Sequence, residues 1–302
     1  MFELGKNLKD RYLKLFPSNG YYSKKIVQVK SSYMERTISS ALAFMAGFMA
    51  PLEFKNPLPI TWQPIPVNSI PRDRDDLIAQ KKACPKYDEA YRKAFQSPDI
   101  QELDVANKKL YQILSKHTGE NISNIRDVES LYNTLEAEAA AGWTLPDWTE
   151  DIFPDKIRPL AERHLALLTE TAYMKRIKGG PLITEIIDLM TNKRQHLFNH
   201  ERTISVYSGH DVTLVNLMRA MNIIDQASKK PDYSAALIIE LHHSLDHIDD
   251  YDVKVYYYFS YKDKYPKEIS IQNCPRPCSL TQFTKSMNGL IVKEFDEICM
   301  YM

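Results

Sequence analysis

Ser208-Gly209-His210-Asp211 sets an imidazole directly before a carboxylate, after a small residue and a glycine. The run Ile204-Ser205-Val206-Tyr207 before it reads as a strand, and Val212 to Met221 after it carries helical spacing. At a strand-to-helix switch the first N–H groups of the helix point outward, and the positive end of its dipole favours an anion. A histidine there could hold an anionic oxygen, and the adjacent aspartate could serve as a general acid. The same residues also read as a plain helix start, with Asp211 as N-cap and Thr213 and Asn216 in the first turn. On the tetrapeptide alone the cap is the preferred reading.

The other chemistry-bearing residues carry weaker patterns. His242, His243 and His247 lie near Asp246, Asp249 and Asp250. Adjacent strand residues face opposite ways, so this group reads as a polar hairpin turn and not as a metal centre. His164, His196 and His200 have no carboxylate at metal-ligand spacing, and His117 sits in a polar segment. The chain has no dinucleotide fingerprint, phosphate-binding P-loop or nucleophile elbow, and no cofactor is expected. Cys274-Pro275-Arg276-Pro277-Cys278 is tight enough to close a small disulfide, leaving Cys84 and Cys299 as a possible long-range pair. Zinc and reduced core thiols are the rival readings, and two disulfides are favoured. Asn121-Ile122-Ser123 is a glycosylation sequon and agrees with a secretory route.

Composition narrows the partners. Lys+Arg and Asp+Glu are both 39 in 302 residues, so no basic excess points to nucleic acid. The best apolar run, Ile38 to Pro51, is too short to span a membrane and reads as a buried helix. The N-terminus passes straight into a helical pattern with Leu4, Leu8, Tyr12 and Leu15, and no signal peptide is expected in this chain.

The elements that must position the His-Asp pair follow an α/β pattern. Lys25 to Ser31 reads as a strand and Glu35 to Met49 as the helix after it, before a proline-rich crossing from Pro51 to Pro71. Asp75 to Gly142 is polar and helix-rich. A long helix is predicted from Ile157 to Ile177, punctuated by Gly179-Gly180-Pro181, with another from Leu182 to Met190. Ala235 to His242 and Tyr251 to Tyr261 alternate as an antiparallel hairpin. The expectation is an α/β core of residues 1–71 and 151–302, split by a mostly helical insert at 72–150.

In this order the segments resemble the histidine acid phosphatases, the branch with the prostatic and lysosomal acid phosphatases and their insect relatives. Phe2-Glu3-Leu4-Gly5-Lys6 is similar to the family's "YELGK", and Val29-Lys30-Ser31-Ser32-Tyr33-Met34-Glu35-Arg36-Thr37 to its "VRSTDVDRT". Trp62 to Val67 matches "WQPIPV", Cys84-Pro85 matches "NCP", Thr144 to Trp148 matches "TLPSW", and Tyr207 to Thr213 resembles "YSAHDTT". Gly179-Gly180-Pro181-Leu182 resembles the glycine stretch before the last core helix, and Cys274 to Cys278 a short bridged loop.

The resemblance implies a phosphoglycerate-mutase-like core sheet flanked by helices, with a helical cap. It implies hydrolysis of small phosphate monoesters through phosphohistidine, with no metal or organic cofactor. His210 would bind phosphate and Asp211 would protonate the leaving alcohol; Lys30 stands where the family has a phosphate-binding arginine, and Arg36 matches an arginine taken as structural. The bridges would be Cys84–Cys299 and Cys274–Cys278; a further family pair is lost at both ends, near Ala137 to Ala141 and near Ala235-Ala236. A secreted or lysosomal protein, glycosylated at Asn121 and able to form a homodimer, is implied. The R-H-G-x-R-x-P segment with the nucleophilic histidine and the first core strand have no counterpart, so this chain is expected to be inactive or a truncated form. The alternatives are a noncatalytic phosphate-ester-binding or interaction protein of the same fold, or an unrelated α/β binding domain.

Overall fold

The computed structural model of the chain describes residues 1–17, 20–51, 60, 62–197, 201–227, 230–244 and 250–300. In chain order the elements begin with α1 (Phe2–Tyr12), β1 (Val27–Ser31) and α2 (Glu35–Phe48). There follow α3 (Pro85–Phe95), α4 (Pro98–Ala106), α5 (Lys108–Thr118), α6 (Ile125–Ala140), α7 (Arg158–Leu167) and α8 (Ala172–Arg194). The chain continues through β2 (Ile204–Ser208), α9 (Asp211–Ala220), β3 (Ala236–His243), β4 (Tyr251–Tyr258), β5 (Lys267–Ile269), α10 (Leu280–Ser286) and α11 (Phe295–Cys299). Met1–Ala83 and Lys175–Cys299 form one compact unit and Cys84–Met174 another. The division falls at residues 84 and 174, where the sequence pattern drew it at 72 and 150.

In the first unit, β1 buries Val27, Val29 and Ser31 and turns Gln28 and Lys30 to the other face, the period of two that a pleated strand imposes. It pairs in parallel with β2, from Val27 opposite Ile204 to Ser31 opposite Ser208. The predicted hairpin is present: Ala236 of β3 pairs with Tyr258 of β4, and His243 with Tyr251. With β5 on the far side of β4, these strands make a second, antiparallel sheet. Among the described residues the strands thus form two sheets. One apolar cluster spans both, joining Val27, Val29 and Ile204 to Tyr258, with Leu4, Leu8, Phe44 and Phe48 from α1 and α2.

A polar clamp reinforces that junction. Glu240 on β3 accepts from Arg11 Nη2 at 2.7 Å, from the Tyr12 hydroxyl, and from His242 Nε2 at 2.7 Å. Burial pushes the Glu240 carboxyl up, but these three donors outweigh it and leave it below its ordinary value. His242 is therefore a hydrogen-bond partner of Glu240, and His243 packs on the Tyr251 ring at 4.7 Å, so the two neighbours face different groups. His200 and His247 lie outside the described residues.

The predicted helix break at Gly179-Gly180-Pro181 is corrected. The chain breaks earlier, between Leu167 and Ala172, and α8 runs through Pro181 without interruption. Tertiary packing explains the glycines: a Cβ on Gly179 would lie 2.3 Å from Ala220 Cβ, and one on Gly180 would lie 2.3 Å from the Leu290 carbonyl oxygen. They permit close approach and do not end the helix.

The second unit packs α3 to α7 around Ile100, Leu114, Ile125, Val128, Ile157 and Ala161. Asn124 caps α6 by accepting from the backbone N–H groups of Arg126 and Asp127, and Gly119 ends α5 at φ 75°, a conformation that favours glycine. Exposed Asn121 lies between them. His117 stacks on Trp148 and buried His164 meets the Tyr91 hydroxyl at 2.8 Å, so both are occupied within this unit. Cys274 and Cys278 are joined, Cys84 and Cys299 are also disulfide-bonded, and no cysteine is free. No helix among the described residues is long and apolar enough to cross a membrane.

The first unit depends on backbone contact between α1 and α2. A Cβ on Gly5 would lie 2.2 Å from the Phe44 carbonyl oxygen, and one on Gly47 would lie 2.2 Å from that of Phe2. Gly5→Ala must push the helices apart, with an expected loss of about 1–3 kcal/mol. Gly289→Ala is the control, because its added methyl meets nothing within 4 Å. Thermal unfolding should separate the two variants, and equal midpoints would contradict the close-contact account.

Candidate active site

Two strand-to-helix turns lie side by side because β1 and β2 are parallel and in register. The carboxyl end of β1 delivers Ser32 and then α2, and that of β2 delivers Gly209, His210 and then α9. The ends of parallel strands are where open α/β sheets gather ligands. Ser32 N donates to the Ser208 carbonyl oxygen at 3.1 Å, and Ser208 Oγ donates to the Thr37 carbonyl oxygen at 2.8 Å, so each turn is tied to the other. Gly209 has no room for a side chain: a Cβ would meet Ile78 Cγ2 at 3.0 Å and Thr213 Oγ1 at 3.1 Å.

A third segment closes the site. Buried Asp75 accepts from the backbone N–H groups of Leu77, Ile78 and Ala79 at 2.7–3.0 Å and so folds residues 75–79 into a fixed turn. That turn offers the Ile78 carbonyl oxygen to Thr213 Oγ1 at 2.8 Å. Thr213 Oγ1 in turn accepts from His210 N at 3.2 Å. Gln80, at φ 55°, receives Asn216 Nδ2 on its side-chain oxygen at 2.7 Å. Asn216 therefore fixes the loop beside α9.

The N-cap of α9 is His210, at φ −114° and ψ 163°, and Asp211 is the first helical residue. This corrects the reading of Asp211 as the cap. The Asp211 carboxylate accepts from Val212 N at 2.8 Å through Oδ1.

His210 is held by a directional chain of hydrogen bonds. Thr37 Oγ1 lies 3.0 Å from the Ser32 carbonyl oxygen and 2.9 Å from that of Met34, so its hydrogen points there. The Ser32 hydroxyl then donates to Thr37 Oγ1 at 2.8 Å and accepts from His210 Nε2 at 3.0 Å. On the other side Arg36 Nη2 lies 3.4 Å from His210 Nδ1, and a guanidinium can only donate. These partners assign a neutral ring with its proton on Nε2. Burial lowers the His210 pKa, and the positive charges of Arg36, Arg72 and Lys81 lower it further, with only Asp211 opposing.

Asp211 and Lys30 have different surroundings. Asp211 Oδ2 lies 3.0 Å from Lys230 Nζ. Lys30 Nζ sits 2.8 Å from each Glu185 oxygen on the opposite face of β1 from Ser31, and the Tyr207 hydroxyl donates to the same carboxylate. Lys30, expected as a phosphate contact, is thus paired with Glu185 in this structure. Arg36, expected to be structural, instead faces His210. Ser32, Arg36, Arg72, Lys81 and Lys230 were missed because their signal is spatial: only the parallel register brings residues 32–36 to residue 210. Among the described residues, no group of three or more His, Cys, Asp or Glu could hold a metal ion.

The site thus lies where two parallel strands end beside a helix N-terminus capped by a histidine. Residues 1–258 match the histidine phosphatase superfamily (branch 2), and the chain belongs to that family. Lysosomal acid phosphatase of Homo sapiens is 29% identical over 307 residues, which span 99% of this chain and 70% of that protein. Prostatic acid phosphatase of Homo sapiens is 27% identical over 306 residues, which span 99% of this chain and 76% of that protein. In fold, the chain is similar to the phytase from Citrobacter braakii, with a TM-score of 0.70 at 15% identity over 100% of this chain and 87% of that one.

The lowered His210 pKa predicts a pH-dependent stability. Between the folded value and the ordinary one near 6.5, the unfolded chain binds more protons than the folded chain. The stability contribution is therefore complete above about 6.5 and is lost as pH falls through the folded value. Thermal midpoints should decline from pH 7 toward pH 5, and His210→Gln should flatten that decline. An unchanged slope in the variant would contradict a depressed His210.

Proposed function

We propose that this chain binds the phosphate group of small phosphate monoesters at His210, with Asp211 beside the leaving-group oxygen as proton donor. Family membership and the acid phosphatase relatives support the substrate class. The observation that carries the reading is the His210 ring at the start of α9, held between the Ser32 hydroxyl at 3.0 Å and Arg36 Nη2 at 3.4 Å. A dianion entering there meets the positive helix end and guanidinium or ammonium groups, and its charge favours protonation of His210. Proton uptake at Nδ1 turns both ring nitrogens into donors. Were an ester cleaved at this site, Asp211, one residue further along the helix, would be the group placed to protonate the departing alkoxide, a contribution typically of ~10²–10⁴-fold in such reactions.

The same geometry supports binding over turnover for this chain. An imidazole nucleophile needs a free lone pair directed at phosphorus, whereas His210 has its Nε2 hydrogen on Ser32 and its Nδ1 lone pair toward Arg36. His117, His164, His242 and His243 are engaged at Trp148, Tyr91, Glu240 and Tyr251. His210 is thus the phosphate holder and not the attacking base. A secreted or lysosomal setting is supported by the oxidised cysteines and by exposed Asn121 in its sequon.

The test pairs binding with turnover. Calorimetric titration with inorganic sulfate, which stays dianionic over the working range, should give saturable binding that tightens on acidification. His210→Ala and Arg36→Ala should each weaken it on the order of 10–100-fold, the loss expected for a hydrogen bond to a charged group. Hydrolysis of p-nitrophenyl phosphate at acidic pH should be negligible. Robust turnover abolished by Asp211→Asn would overturn the non-hydrolytic reading.

A further inference from the structure

Asp211 presents a difficulty for an anion site. A carboxylate on the residue next to His210 repels the dianion that His210 is proposed to hold. Lys230 answers this charge. Its Nζ lies 3.0 Å from Asp211 Oδ2, its side chain is 5% exposed, and that of Asp211 is 36% exposed. The ammonium is thus set inside the protein while the carboxylate remains open to the site. An inward-facing lysine is rare unless paired, because its desolvation must be offset by a counter-charge.

The two oxygens of Asp211 are divided between partners. Oδ1 accepts from Val212 N at 2.8 Å, which fixes the carboxylate to the first turn of α9, and Oδ2 is directed to Lys230. The ion pair approaches from the segment that precedes β3, whereas Arg36, Arg72 and Lys81 come from α2 and the loop before α3. The charge on Asp211 is therefore answered by a cation from a different part of the chain than those that face His210.

We infer that Lys230 is a charge-compensating positioning residue: it neutralises and orients Asp211 so that the His210 site accepts a dianion. This inference rests on the phosphate-binding reading. Lys230 is assigned no part in bond making. Its effect passes through Asp211, and that makes it separable from a general structural role. Removing the ammonium leaves one unit of negative charge a few ångström from the bound anion. Removing the carboxylate as well takes that charge away again.

Sulfate titration of four variants tests this. Lys230→Met should weaken sulfate binding about tenfold, the size expected for one unpaired charge at this range in a partly solvated site. Asp211→Asn alone removes the repelling carboxylate and should tighten sulfate binding. The double variant Lys230→Met/Asp211→Asn, which removes both charges of the pair, should recover to about wild-type affinity, and Lys230→Arg should retain binding. A merely structural lysine would not be rescued by changing Asp211. Wild-type binding left unchanged by Lys230→Met, or a double variant as weak as Lys230→Met, would overturn the inference and leave the phosphate reading intact. No saturable sulfate binding by the wild-type chain would overturn both.

Discussion

The parallel pairing of β1 with β2 is the constraint on which the site depends. It sets Ser31 opposite Ser208, and so brings two strand-to-helix turns to one edge. The Ser32 and Arg36 contacts of the His210 ring follow from that register. Ser32 emerges from one turn and His210 from the other, and Arg36 stands on the first turn of α2. A slip of one residue would reverse the faces of β2, removing Ile204 from the shared core and separating Ser32 from the imidazole. The buried hydroxyls of Ser32 and Thr37 then do what a carboxylate often does for a histidine: they select the tautomer, but without adding negative charge.

The absence of added charge matters for the electrostatics. Three cations bias His210 toward its neutral form, and the carboxylates nearby are answered by ammonium groups: Asp211 by Lys230 and Glu185 by Lys30. Under the proposed reading an anion bound there would favour protonation of the ring, and binding and protonation would reinforce each other.

Local pattern made a large part of this fold legible. The alternation of β1, the β3–β4 hairpin and the Ser-Gly-His-Asp switch follow from period and residue type, and they are present where that pattern put them. What was not legible depended on distant neighbours. Gly179-Gly180-Pro181 carries a breaker signal, yet close packing against Ala220 and Leu290 keeps α8 continuous. Lys30 carries a plausible phosphate signal, but Glu185, far along the chain, takes up its charge. Arg36 gave no local sign that it would face residue 210, and Lys230 gave none that it would meet Asp211. His210 and Asp211 were readable as a pair because they are adjacent in sequence; their partners were not.

The central claim is that His210 is a neutral, Nε2-protonated ring that gains a proton when a dianion binds. Nitrogen-15 NMR of the histidine side chains measures this directly, with His210 assigned by its loss in His210→Gln. In the free protein at neutral pH the account predicts an Nε2-protonated neutral pattern for His210. On saturation with sulfate at mildly acidic pH it predicts protonation of both nitrogens, with the other imidazoles little changed. A His210 already charged in the free protein, or one whose nitrogens do not respond to sulfate, would contradict it.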